Sequence, residues 1–377
     1  MPAYKNQHYV PKAHLKPFSV GRAGKAINLY NITQDRLIPN APTRGQCARD
    51  YLYGGKGDVL LEGFLQKLEG EYADLVRKAE ADPASLTAAD FARLRGFTFV
   101  QYQRTDMAFQ RQQLMRDEVH AASIEGIDPK FAEEVTKLSD RDLIRISMAI
   151  ALSEQKTIDD LVPFIALNKT SMEFVTSDDP AILTNRYSIQ KMNDRNFGLV
   201  SVGVTFYLPL TPWLLFGCYD SGSYRLSGAK GHVVEVTSEG DVIAFNEAQL
   251  IKAGANLYFG SWSAGESIKE SMPRAKDQRS ERTGGIRIWV PTTSRRGAAL
   301  VHGATRYREA TPEERLSAKE KLIQMQPLFA KPRRWPSCLP IRNAVKKIET
   351  QTAIGAVRRS DWKQLVDRSK RKGTSNR

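Results

Sequence analysis

Apolar residues at 60, 61, 64, 65, 68, 72, 75 and 76 recur every three or four positions, which predicts an amphipathic helix running from Asp58, with Asp58 as its cap. The stretch "SLTAADFARLRGFTFVQYQRTDMAFQRQQLMRDEVHAAS" keeps the same period and predicts one long second helix, with Thr87 as N-cap and Asp90 three residues on in a loose capping box. "SDRDLIRISMAIALSE" at 139–154 predicts a third helix, and a poorer pattern precedes it near 128–138. The texture then changes. "SMEFVTSDDPAIL", "VGVTFYLPLTPWLLFGCY" and "HVVEVT" are rich in β-branched and aromatic residues broken by Pro and Gly, as strands are. "SEGDVIAFNEAQLIKAGA" returns to helical period and "NLYFGS" reads as another strand. An earlier pair of strands is expected over 26–39, with a glycine-rich break, "YGGKGD", at 53–58. Beyond about residue 263 the pattern is polar and broken until "RIWVP". A helix near 312–326 and an amphipathic stretch near 341–367 follow, and the final "SKRKGTSNR" is expected to be disordered.

Helices first and strands later give an α+β fold: a helical section over 58–155, then a mostly antiparallel β section over 170–262. Both belong to a single core domain over 1–300, followed by a C-terminal extension over 301–377. Charge is what sets the extension apart. Of the net +14, residues 301–377 carry 19 Lys/Arg against 7 Asp/Glu, which leaves the body nearly neutral. A basic segment attracts phosphate chains and gains from counterion release, so nucleic acid is the expected partner; a solvated tail that only aids solubility is the plainer alternative. The longest apolar run, "WLLFGCY", is far too short to span a bilayer, and no membrane partner is expected. The scattered Cys47, Cys218 and Cys338 form neither a disulfide framework nor a zinc spacing, which suggests reduced thiols in a cytoplasmic protein.

Candidate chemistry begins where polar residues fall on core faces. On the second helix Phe91, Leu94, Phe97 and Thr98 share one arc with Met115, and Gln101, Arg104 and Thr105 fall within or beside it. Arg93, Gln103, Asp106, Gln110 and Arg111 lie opposite, as a solvent face. A buried guanidinium needs an anionic or carbonyl partner, which makes Arg104 either half of an internal ion pair or the floor of an anion site. Glu62 and Glu69 share one side of the first helix and are its candidate partners. "TSDDP" places Thr176, Ser177 and Asp178 at a strand end, where side chains converge on ligands and where Asx and Ser/Thr turns are also routine. In the opening "NQHYVPKAHLKPF", Pro11 and Pro17 predict an extended strip, and His8 can serve as acid, base or ligand. Such a strip has too little apolar period for a core of its own, so His8 is expected within reach of both Arg104 and Asp178. No Walker loop, zinc motif, nucleophile elbow or dinucleotide fingerprint is present. "RDEVH" falls one residue short of the R-x₄₋₆-H spacing of helical ribonucleases. The cofactor is unknown, and a divalent metal stays open without a strong motif for it.

The opening "NQHYVPKAHLKPF" resembles the N-terminal signature of a mainly bacterial family, domain of unknown function 4238. The Glu-bearing "LEGFLQKLE", "QYQRT" at 101–105, and "FVTSDDP" with the later "FYLPLTP" resemble further features of it, in the right order over roughly residues 4–260. His14 stands where that family usually has an aromatic, which argues against a catalytic His14. The resemblance carries no settled activity. It implies a set of polar positions, namely His8, Glu69, Gln101, Arg104, Thr176, Ser177 and Asp178, and these coincide with the positions that the pattern makes odd.

Two functions fit. In the first, the chain is a nuclease or another phosphoester hydrolase: Gln101 and Arg104 bind phosphate with Thr176 and Ser177, His8 transfers the proton, and Asp178 or Glu69 is its partner. In the second, the same residues form a structural polar network in a non-enzymatic module that binds nucleic acid or protein.

Overall fold

The structure is a computed structural model and describes residues 6–50, 52–53, 60–124, 133–134, 137–191, 198–280, 285–294, 300–302, 305–318, 322–326, 332–343, 351–352, 355–356 and 358. It is an α+β fold with mostly antiparallel sheets. The long helices are α2 (Leu60–Ala81), α3 (Ala88–Gln103), α4 (Asp106–Ile124) and α5 (Asp140–Ser153). Thr87 and Ser139 begin α3 and α5 with complete capping boxes, through Asp90 and Asp142 respectively.

A five-stranded sheet has the order β10-β5-β9-β8-β7, from Val233–Val236, Val162–Asn168, Leu214–Tyr219, Thr205–Thr211 and Ile182–Thr184. Only β10 against β5 is parallel in it. Helices α2 and α3 cover one face through Tyr72, Leu94, Phe97, Phe99 and Tyr102, which meet Phe206, Leu208 and Phe216. The other face packs Phe164, Tyr207 and Leu215 against Val242 and Phe245 of α7 (Glu239–Lys252). Strand β9 must pass close to β5 here: a Cβ at Gly217 would lie 2.3 Å from the Phe164 ring, so only glycine fits.

A second, four-stranded antiparallel sheet has the order β3-β2-β11-β6, from Arg36–Pro42, Ala26–Asn31, Asn256–Phe259 and Thr176–Ser177. Leu257 and Phe259 face α7 and α8 (Trp262–Ser280), while Ile27, Leu29 and Tyr258 face the opening segment. That segment differs from the extended strip expected of it. After β1 (Asn6–His8), Pro11 serves as N-cap of a short helix, α1 (Lys12–Leu15), and Pro17 sits in the first turn of a 3₁₀ turn, where a missing N–H costs nothing. Val10, Leu15 and Phe18 are wholly buried, so an apolar core holds the segment as well as polar partners do.

Three further expectations change. The long second helix is two, α3 and α4, which part at Arg104 and Thr105. Residues after 262 form α8, whose Ala264, Ile268, Met272 and Ala275 supply a sparse helical stripe despite Pro273. The helix expected over 312–326 ends at Ser317, and Leu322–Gln326 instead pairs with Gly285–Thr292 as the edge of a third antiparallel sheet. Chain beyond 300 also returns to the body: Cys338 and Leu339 join the core beneath α7. Most of the expected stretch near 128–138, most of 341–367, the C-terminal residues and the expected cap Asp58 lie outside the described residues.

Candidate functional site

The break between α3 and α4 is where the site forms. Arg104 caps α3, and Thr105 begins the next helix by accepting the Ala108 N–H at 3.1 Å. This turn aims Arg104 into the protein, with its side chain 1% exposed. Its Nη2 donates to Glu69 Oε1 of α2 at 2.7 Å and to the His8 carbonyl at 2.8 Å, and its Nε donates to the Tyr53 hydroxyl at 3.1 Å. Burial works against its charge, but Tyr53 and Glu69 outweigh that and hold it above the ordinary arginine value. One turn earlier, buried Gln101 donates through Nε2 to the Tyr9 carbonyl at 2.9 Å. Gln101 and Arg104 thus hold consecutive carbonyls of the opening segment, and Gln7 adds a bond to the Tyr53 N–H at 2.7 Å.

Among the described residues, three buried polar atoms of this group have no hydrogen-bond partner: His8 Nε2, Gln101 Oε1 and Arg104 Nη1. Burial first, then Lys12 and Arg104, push the His8 pKa down to about 4, against the opposing pull of the Arg44 backbone, so the ring is neutral at pH 7. Glu62 lies half-buried nearby, raised by burial and by the charge of Glu69.

The strand-end residues are all buried, and each has an internal partner. Thr176 Oγ1 lies 2.7 Å from His14 Nε2, whose Nδ1 meets the Tyr72 hydroxyl at 2.8 Å. Burial pushes His14 down to about 3. Ser177 donates to Gln249 at 2.7 Å. Asp178 accepts the N–H groups of Gly254, Ala255 and Asn256 at 2.6–3.0 Å. Burial raises it to about 6, with these N–H groups opposing and Asp179 adding to the rise. His8 is therefore held to Arg104 through its carbonyl rather than its ring, and Asp178 bonds to a backbone loop rather than to His8. The charge of Asp178 is felt instead by Tyr9, Cys47 and Tyr258, which join one another through hydrogen bonds at Cys47.

Sequence reasoning missed three participants. Tyr53 gave no signal beyond its place before a glycine-rich break. Asp179, beside the candidate Asp178, is fully buried; it accepts from Thr105 at 2.7 Å and Arg111 at 2.9 Å and lies 3.3 Å from Lys252. Burial opposes its charge, but Lys252 and Arg111 outweigh that and hold it below the usual carboxylate range. Arg111 is expected on the solvent face, yet its side chain is only 14% exposed and lies over the Tyr102 ring. The break at Arg104 brings Arg111 of α4 back against Tyr102 of α3, while Gln110 beside it stays exposed. Among the described residues no group of three His, Cys, Asp or Glu is placed to hold a metal ion.

A family model described as a protein of unknown function, DUF4238, matches residues 6–263, more than half of the chain. The chain belongs to the DUF4238 family. The match begins at the opening segment and ends at the first turn of α8, so the DUF4238 region contains every candidate residue named above. No curated protein and no solved structure matches the chain.

Proposed function

We propose that this DUF4238 protein is a phosphoester hydrolase, and that nucleic acid is its substrate. The observation that carries the reading is the group of unpartnered, buried atoms on His8, Gln101 and Arg104. Buried polar groups are almost always paired, and a strained exception in a native fold marks a place for a ligand or for catalysis. In this reading Arg104 faces the phosphoryl charge, Glu69 positions Arg104, and neutral His8 takes the proton of an attacking water. The water oxygen bonds to phosphorus, the ester P–O bond breaks toward the departing oxygen, and the proton leaves His8 for that oxygen by way of solvent. A bound phosphate anion raises the imidazole pKa and so strengthens the base when substrate is present. The basic balance beyond residue 300 favours a polyanion over a small ester, and the three free cysteines suit a reducing cytoplasm.

The test is cleavage of end-labelled single- and double-stranded DNA and RNA by the full chain, with and without divalent metal, beside His8→Ala. Loss of at least 100-fold in the variant at an unchanged melting temperature supports the reading. Equal cleavage by both proteins, or none by either, overturns it.

A second reading, a non-enzymatic binding module, is favoured by one specific observation: Arg104 and Gln101 donate to the backbone carbonyls of His8 and Tyr9, as a structural lock does. It predicts that Arg104→Met lowers the melting temperature while nucleic-acid affinity is retained.

A further inference from the structure

Helices α7 and α8 cover the face of the sheet β3-β2-β11-β6 that turns away from the opening segment, since Leu257 and Phe259 pack against them while Tyr258 packs toward Val10 and Phe18. Between the two helices is a pocket of about 460 Å³, part of it open to solvent. Small-molecule sites occupy about 300–1,000 Å³. Helical spacing makes its walls. Ile243, Asn246, Glu247 and Leu250 stand at i, i+3, i+4 and i+7 on α7, and Ser267, Ser271 and Arg274 at i, i+4 and i+7 on α8. Much of the lining is apolar. Leu250, Ile268 and Ala275 are buried, and Ile243 and Met172 are half-buried.

The polar groups of the pocket differ in how far they are already engaged. Asn246 gives its amide to the Glu173 carbonyl and accepts the Val175 N–H. Glu247 accepts the Arg333 N–H at 3.0 Å through Oε1, and its Oε2 lies 4.0 Å from Arg334 Nε. These contacts hold the chain at 333–334 against α7 and set Arg334, 44% exposed, in the pocket wall. Arg274 is exposed, and among the described residues its guanidinium makes no hydrogen bond or ion pair; the hydroxyls of Ser267 and Ser271 make none either. Two guanidiniums against one carboxylate leave a single positive charge around an apolar lining, with two hydroxyls able to donate.

We propose that this pocket binds a small monoanion with an apolar body, an aliphatic or aromatic carboxylate, whose body lies on Leu250, Ile268 and Ala275 and whose charge is answered by Arg274 and Arg334. Other ligand classes match the lining less well. An ammonium meets two like charges. A neutral apolar molecule leaves both guanidiniums without a partner. Inorganic phosphate leaves the apolar lining uncovered, and its second charge has no counterpart once Glu247 is counted. The site shares no residue with the group around Arg104 and does not depend on the hydrolase reading.

Isothermal titration calorimetry of the full chain with octanoate, decanoate and naphthalene-2-carboxylate tests this. Octan-1-ol and octylamine keep the body and change the charge, and acetate keeps the charge without the body. At least one of the three carboxylates is expected to bind at one per chain, and the controls at least tenfold more weakly. Arg274→Ala and Arg334→Ala are each expected to weaken carboxylate binding about tenfold at a wild-type melting temperature, since both side chains are exposed. Ser271→Phe, which fills the pocket from its wall, is expected to abolish binding. Absence of binding by all three carboxylates overturns the proposal, as does binding in several copies per chain or equal binding by octylamine or acetate. An affinity that neither arginine variant moves, or that Ser271→Phe leaves intact, overturns it as well.

Discussion

A single guanidinium illustrates how residue chemistry constrains this fold. Arg104 is almost wholly enclosed, whereas its partner Glu69 keeps 23% of its side chain exposed. The two halves of the pair are therefore unequal. Removing the arginine frees a carboxylate that water can reach, but removing the glutamate leaves a buried cation with neutral partners only. Glu69→Ala is expected to cost about 3 kcal/mol, read from the urea midpoint. In Glu69→Ala/Arg104→Met the two losses should be clearly non-additive. The histidines set a second expectation, for pH. His8 and His14 are held neutral, at about 4 and about 3, below the 6.5 of an unfolded chain. Their contribution is present above pH 6.5 and is lost as pH falls through that window, because the unfolded chain takes up protons that the folded one refuses. Asp178 acts oppositely. Its folded value near 6 lies above 3.8, so its protonation adds stability as pH drops from 6 toward 4. The raised Glu62 acts in the same direction as Asp178, and the two histidines oppose both. His14→Phe removes one of the two, and its melting temperature should fall less steeply than that of the wild type between pH 6 and 4, a difference of about 1.4 kcal/mol per pH unit at most.

At the level of elements, the parting of α3 from α4 depends on Thr105 more than on any helix breaker. Its hydroxyl accepts from Ala108 N and donates to Asp179, so one side chain starts a helix and satisfies a buried carboxylate. Thr105→Ala is expected to lower stability by about 1–2 kcal/mol, the cost of an N-cap with a weakened ion pair, measured by chemical denaturation; Thr105→Ser should restore most of it. Nothing in local propensity marks this break, since Arg and Thr sit in helices readily and the 3.6 period runs straight across it. That is why α2, the start of α3, α5, α7 and the β8–β9 hairpin were legible from periodicity, while the division at 104 was not. The stretch Leu322–Gln326 was misread for a related reason. Leu322, Ile323 and Met325 suit a helix or a strand, and their pairing with Gly285–Trp289 decides the outcome from a distance. In α8 the signal was present, four small or apolar residues at helical spacing, but polar neighbours and Pro273 obscured it.

For the whole molecule, the opening segment acts as a strap across separate layers. His14 touches Tyr72 of α2 and Thr176 of β6, the carbonyls of His8 and Tyr9 meet α3 and its cap, and Phe18 enters the core below β2. Polar residues on core faces announced this gathering in the sequence. The division into one group around Arg104 and another around Asp178 and Asp179 was not legible, because it depends on which backbone N–H groups the loop at 254–256 presents. The C-terminal charge has to be weighed at the same scale. Arg358 is not available to a polyanion: it is 2% exposed, paired with Asp160 at 2.9 Å and bonded to the carbonyls of Thr157, Leu199 and Ser201. A truncation that tests the basic segment must therefore spare it. Ending the chain after residue 359 removes Lys363, Arg368, Lys370, Arg371, Lys372 and Arg377 together with Asp361 and Asp367. If all six cations contact phosphates, the slope of log affinity against log salt for duplex DNA should become shallower by about 5, since each phosphate contact contributes about 0.9. Binding at low salt should weaken with it, while the melting temperature stays put because Arg358 and its partners remain. An unchanged slope would place the nucleic-acid contacts elsewhere on the molecule and leave the terminal cations as a solubilising tail.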